Sequence, residues 1–161
     1  TGVQTCALPI FAGYMQQLRE QGSYTVSDAL KAKIQEVFAG GFCNDIQTRE
    51  KIGHAWRDHR YLIDTHTAVA YHVLDDYRRE TGDTTPSVVV STASPFKFCD
   101  QVLRGIGGTA DAFGPALIRR LSCETQIDAP APLTGLDARP VRFGGCVDKA
   151  QMLHTVDEFL K

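Results

Sequence analysis

The 161 residues carry a formal charge of −2, five cysteines and 43% hydrophobic side chains, proportions that suit one globular domain burying about 70% of its unfolded surface. The near-balanced charge gives no ground for a nucleic acid or anionic membrane as partner, and no apolar run nears the ~20 residues of a membrane span. An odd number of widely spaced cysteines, with no Cys-x-x-Cys pair, argues against a disulfide frame or a zinc site and for reduced thiols in the cytoplasm.

The first ten residues, Thr1 to Ile10, resemble a translated sequencing-adaptor tail and contain no initiator Met or signal-peptide layout. They are set aside, with the expectation that residues 11–161 continue a longer upstream protein. Residues 11–21 have helical spacing, with Tyr14, Met15 and Leu18 on one side and Gly22 as the stop. A second helix, capped by Thr25 or Ser27, places Val26, Leu30, Ile34, Val37 and Phe38 in an i, i+4, i+7 rhythm and ends at Gly40 and Gly41. Asn44 or Asp45 caps a third, whose buried side carries Ile52, Ala55 and Trp56. A fourth starts at Asp64 or Thr65 and runs to about Glu80, with Val69, Val73, Leu74 and Tyr77 inward.

Val88, Val89 and Val90 form a continuous apolar run, the pattern of a strand buried on both faces. Ser94 and Pro95 follow as an N-cap and first helical residue, so the order is strand, polar turn, helix. That helix continues through Phe98, Val102, Leu103 and Ile106 to Gly107 and Gly108, and a short one near Asp111 carries Phe113, Leu117, Ile118 and Leu121. Residues 123–140 describe a surface loop, and residues 141–143 a brief strand. Asp148 and Gln151 make a capping box that opens a last helix with Met152, Leu153, Val156 and Leu160 inward. A single strand cannot make a sheet. The valines therefore require neighbours that this chain does not supply.

Strand ends and helix N-termini are where α/β folds bind ligands, especially anions. Thr92 and Ser94 are the hydroxyls at that junction, although capping alone accounts for Ser94. His66, beside Asp64 in the first turn of its helix, suits acid–base work, phosphate binding, or plain exposure at a helix start that disfavours its charged form. His54, His59 and His72 share no metal-ligand spacing with it, so no metal site is assigned. Lys97 reads as a surface lysine, and none of the glycine pairs lies between a strand and a helix as a phosphate cradle would.

Three blocks carry a resemblance: Gly40 to Cys43; Tyr61 to Tyr71, containing Asp64, Thr65, His66, Thr67, Ala68 and Val69; and Ser91 to Phe98. With Arg139 to Phe143 and the helix from Met152 to Leu160, they resemble the C-terminal third of threonine synthases over residues 11–161. The resemblance implies an α/β fold: the C-terminal portion of a fold-type II pyridoxal-phosphate enzyme, tryptophan synthase β-like, here mainly helical with one or two short strands. It implies a lyase that converts O-phospho-L-homoserine and water to L-threonine and phosphate. It makes Thr92 the hydroxyl that meets the pyridine nitrogen of pyridoxal 5'-phosphate, and it puts Asp64, His66 and Ser94 in the active-site wall. The family's Schiff-base lysine lies in a Ser-Phe-Lys-Asp motif that is absent here, as is the cofactor-phosphate loop. No catalytic residue is therefore assigned, and the chain alone is expected to be inactive. The alternatives are a self-standing helical interaction module or a sister lyase such as a dehydratase, against which the Asp64 to Val69 block speaks.

Overall fold

The structure is a computed structural model that describes residues 2–140 and 144–160. Its helices are α1 (Gly2–Gln21), α2 (Asp28–Gln35), α3 (Asp45–His59), α4 (Thr65–Thr81), α5 (Cys99–Gly105), α6 (Pro115–Thr125) and α7 (Met152–Phe159). The length pointed to one domain, but the chain divides into two compact units: Thr1–Phe42 with Val73–Thr85, and Cys43–His72 with Pro86–Lys161.

The first unit has no buried side chain among its described residues. Tyr14 stacks on Tyr24 with ring centroids 5.2 Å apart. Ser27 caps α2 by accepting the Leu30 N–H at 3.3 Å. That helix stops at Gln35, before the glycines expected to end it, and leaves Val37 and Phe38 exposed. The half of α4 in this unit is only partly covered, and Gly82 ends the helix at φ +71°, a conformation that glycine adopts without strain.

The second unit holds the core. Asn44 caps α3 with a reciprocal box: its side chain accepts the Gln47 N–H at 3.0 Å, and the Gln47 side chain accepts the Asn44 N–H at 2.9 Å. Ile52 and Ala55 of α3, Ile63, Ala68, Phe96, Val102 and Leu103 of α5, and Leu117 and Leu121 of α6 pack as one buried cluster. Trp56, expected in the buried face, is only half-buried. The crossing of α3 and α5 is unusually close. A Cβ added to Gly53 would stand 2.5 Å from the Gly105 carbonyl oxygen, and one added to Gly105 would stand 2.9 Å from Ile52 Cβ and 3.0 Å from the Arg49 carbonyl oxygen.

Four expectations need correction here. Among the described residues no strand forms, and Val88 and Val90 are 91% and 68% exposed in irregular backbone. A strand is stabilised by hydrogen bonds from neighbouring strands, and none forms among the described residues. The helix expected from Pro95 to Ile106 is broken: residues Pro95–Lys97 form a 3-10 turn, Phe98 leaves helical geometry at φ −127°, and α5 begins at Cys99. The break lets both Phe96 and Cys99 face the core. Phe113 precedes α6 and is 93% exposed. Finally, Asp148 makes no side-chain capping bond, and Met152, Leu153 and Val156 of α7 and Leu160 at its C-cap are 57%, 75%, 52% and 77% exposed among the described residues. The second strand expectation, residues 141–143, lies outside the described residues.

Candidate functional site

The site is built around the first turn of α4. Asp64, with no exposed surface, occupies the N-cap position: its carbonyl oxygen accepts the Ala68 N–H at 2.9 Å, and its carboxylate turns back over the helix end. Oδ2 accepts the His66 N–H at 2.9 Å and stands 3.1 Å from His66 Nδ1. Oδ1 accepts the Thr67 N–H at 3.3 Å and the Thr67 hydroxyl in a short bond. Burial pushes the Asp64 carboxyl up, as desolvation does to any anion. The Thr67 hydroxyl, the His66 N–H, the His66 ring and the Thr67 N–H together outweigh it, and its pKa lies below the ordinary 3.8.

The network continues outward. The Thr67 hydroxyl lies 3.2 Å from that of Ser91, linking α4 to the segment that follows the valines. Thr92 is the next residue, exposed, with no hydrogen-bond partner among the described residues. Ser94 is half-buried, and its hydroxyl accepts the Phe96 N–H at 3.3 Å, which is the capping role expected of it. His66 keeps 64% of its side chain exposed and meets Phe98 edge-on, with centroids 5.0 Å apart at 62°. Its ring lines a cavity of about 350 Å³ with Cys43, Asp45, Thr48, Val69 and Gln101. Cys43 Sγ is 3.2 Å from Thr48 Oγ1, and Arg49 Nη1 donates to Gln101 Oε1 at 3.0 Å across the α3–α5 junction.

Of the residues singled out from sequence, the structure joins Asp64 and His66 directly and brings the Ser91 hydroxyl to them through Thr67. Thr92 is tied to that network only by its chain bond to Ser91, and Ser94 acts on its own turn. Thr67 and Ser91 lie in the blocks that carry the resemblance, but neither the Thr67 bond to Asp64 nor its link to Ser91 was expected. A threonine three residues after an aspartate cap could have been read as a second acceptor–donor pair at the helix start, but the link to Ser91 spans 24 positions and has no local signature. Lys97 is exposed, as a surface lysine should be. A larger groove, about 960 Å³, runs beside α6 between Ile118, Arg119, Cys123, Leu133 and Asp137, and contains none of the residues above. Among the described residues no group of three or more His, Cys, Asp or Glu side chains could hold a metal ion, and no helix is long and apolar enough to cross a membrane.

Comparison with known proteins places this geometry in context. The family model described as threonine synthase, C-terminal, matches residues 67–158, more than half of the chain. The threonine synthase of Corynebacterium glutamicum is 34% identical over 93 residues, covering 56% of this chain and 19% of that protein. That of Pseudomonas aeruginosa is 30% identical over 97 residues, covering 60% and 20%. A human protein named threonine synthase-like 1 is 29% identical over 90 residues, 56% of this chain and 12% of its own length. A crystal structure of PLP-bound threonine synthase from Brucella melitensis superposes with a TM-score of 0.64 at 27% identity, over 92% of this chain and 27% of that one. The chain thus spans about a fifth or less of the curated relatives' length.

Proposed function

The chain belongs to the threonine synthase family through its C-terminal domain, and on that premise we propose that it supplies one face of a pyridoxal-phosphate site. The enzyme so completed converts O-phospho-L-homoserine and water to L-threonine and phosphate. Residues 11–161 then correspond to the C-terminal part of the catalytic region, in a cytoplasmic protein.

The observation that carries this reading is the exposed, unpartnered hydroxyl of Thr92, one residue from the Ser91 end of the buried Asp64 network. A hydroxyl both donates and accepts, so it can meet an unprotonated ring nitrogen. An aspartate at the same place would hold that nitrogen protonated. The cofactor, when bound, supplies an electron sink for the substrate's carbanion, and Thr92 makes that sink weaker than an acidic partner would. Asp64 and Thr67 hold Ser91, and with it the backbone that presents Thr92. Ser94 fixes the next turn by capping it.

The chain has no Ser-Phe-Lys-Asp motif; its Lys97 stands between Phe96 and Phe98. On this reading the cofactor lysine and phosphate loop come from elsewhere in the enzyme, and the chain alone neither binds the cofactor tightly nor makes threonine. Borohydride reduction after adding pyridoxal phosphate to the purified chain should leave no stoichiometric lysine adduct. The positive test grafts residues 67–158 in place of the matching segment of the Pseudomonas aeruginosa enzyme. The graft should release phosphate from O-phospho-L-homoserine, and Thr92→Val in it should cut kcat at least tenfold. A graft that folds and binds cofactor but does not turn over this substrate would overturn the assignment.

A further inference from the structure

Asp64 offers more than a cap requires. Capping needs only an oxygen acceptor, and a serine does that work for α2. A carboxylate without exposed surface is expensive to bury unless its charge is used. Here the contact that a plain cap would not make is the one to the imidazole, with Nδ1 of His66 3.1 Å from Oδ2.

An ionised carboxylate can only accept, so the proton in this contact belongs to Nδ1. Neutral His66 is therefore the tautomer whose Nε2 is bare. Phe98 bounds the ring edge-on, and the ring lines the 350 Å³ cavity with Cys43, Asp45, Thr48, Thr65 and Gln101. With the apolar Val69 and Phe98, those groups give a partly apolar lining that carries a thiol, two hydroxyls, an amide and one carboxylate, which suits small neutral or cationic molecules bearing O–H or N–H groups and disfavours anions.

We propose that Asp64 and His66 form a dyad of fixed tautomer, in which His66 Nε2 accepts a hydrogen bond from the hydroxyl or ammonium group of a small molecule in this cavity and Asp64 is the positioning residue. The ligand keeps its proton, so no anion forms in a cavity whose lining disfavours one, and the carboxylate stays ionised beside a neutral imidazole. The inference concerns this chain's own residues and does not depend on the threonine synthase reading.

Long-range ¹H–¹⁵N NMR on the purified chain, at a pH where imidazoles are neutral, tests it. His66 should show the Nδ1-protonated pattern, while His154 on the exposed α7 shows the Nε2-protonated preference of free imidazole. The same pattern at both residues would overturn the proposal. Asp64→Asn can still cap the helix, so with helical circular dichroism unchanged it should move His66 to the His154 pattern; retention of the Nδ1 proton would remove Asp64 from its role. Ethanolamine, which carries both a hydroxyl and an amine, should shift the His66 Nε2 resonance saturably and leave His154 unmoved. No saturable shift, or one produced only by inorganic phosphate, would remove the hydrogen-bond-accepting role.

Discussion

The α3–α5–α6 core and the terminal helix α7 have the same kind of sequence and opposite surroundings. Ile52, Val102, Leu103 and Leu121 have no exposed surface, whereas Leu153, Phe159 and Leu160 keep 75%, 75% and 77% of theirs. Both regions space apolar residues for one face of a helix. The difference shows that periodicity identifies a face that wants cover and says nothing of what covers it. In the core the cover comes from within the unit, and α7 has none among the described residues. Val88 and Val90 belong with α7 in this respect.

The contrast can be broken most directly by truncation. Leu121→Ala should cost about 2–5 kcal/mol, because it empties a filled site. Leu153→Ala should stay within about 0.5 kcal/mol, because it removes atoms already in water. Thermal or denaturant melts of the two variants decide it, and equal losses would mean that α7 is packed in solution. A smaller effect is expected where backbones touch. Gly53→Ala forces a methyl against the Gly105 carbonyl and should cost about 1–3 kcal/mol. Gly13→Ala, in the open interior of α1, should instead stabilise by roughly 0.5–1 kcal/mol. Opposite shifts in the urea midpoint would sharpen the distinction between a helix held on both sides and one that is not.

Next comes pH. Asp64 binds its proton less readily in the folded chain than in the unfolded one, so the stability it contributes is whole above its ordinary 3.8 and is lost as pH falls from there through its lower folded value. Melts taken downward through that range should lose stability in the native chain, and Asp64→Asn should flatten this part of the profile. The smallest effect is chemical. Burial pushes the Cys99 thiol up to about 11, with the neighbouring Asp100 adding to the rise against a backbone hydrogen bond. A thiol reagent at neutral pH should label the exposed Cys123 and Cys146 and spare Cys99 until the unit unfolds. Early labelling of Cys99 would mean that the core opens locally.

Much of this architecture was legible because it is local. Ser27, Asn44, Asp64 and Ser94 each cap where short polar side chains before apolar periodicity should. The glycine stop at Gly22 also stands where α1 ends. What escaped was set by distant partners. The break at Phe98 depends on Phe96 and Cys99 both reaching a core contributed by α3 and α6, and the valines have the pattern of a strand although no neighbouring strand forms among the described residues. The site divides in the same way. Asp64 and His66 are two residues apart and could be paired on paper, while the Thr67–Ser91 bond joins segments whose proximity only the fold creates.

The two glycines that meet where α3 crosses α5 reach further than local packing. Asp45 and Thr48 on one helix and Gln101 on the other line the same cavity as His66. The spacing of α3 and α5 is thus set in part by two residues without side chains. A methyl added at either would have to push the helices apart, and the chamber's width would change without substitution of any group that lines it.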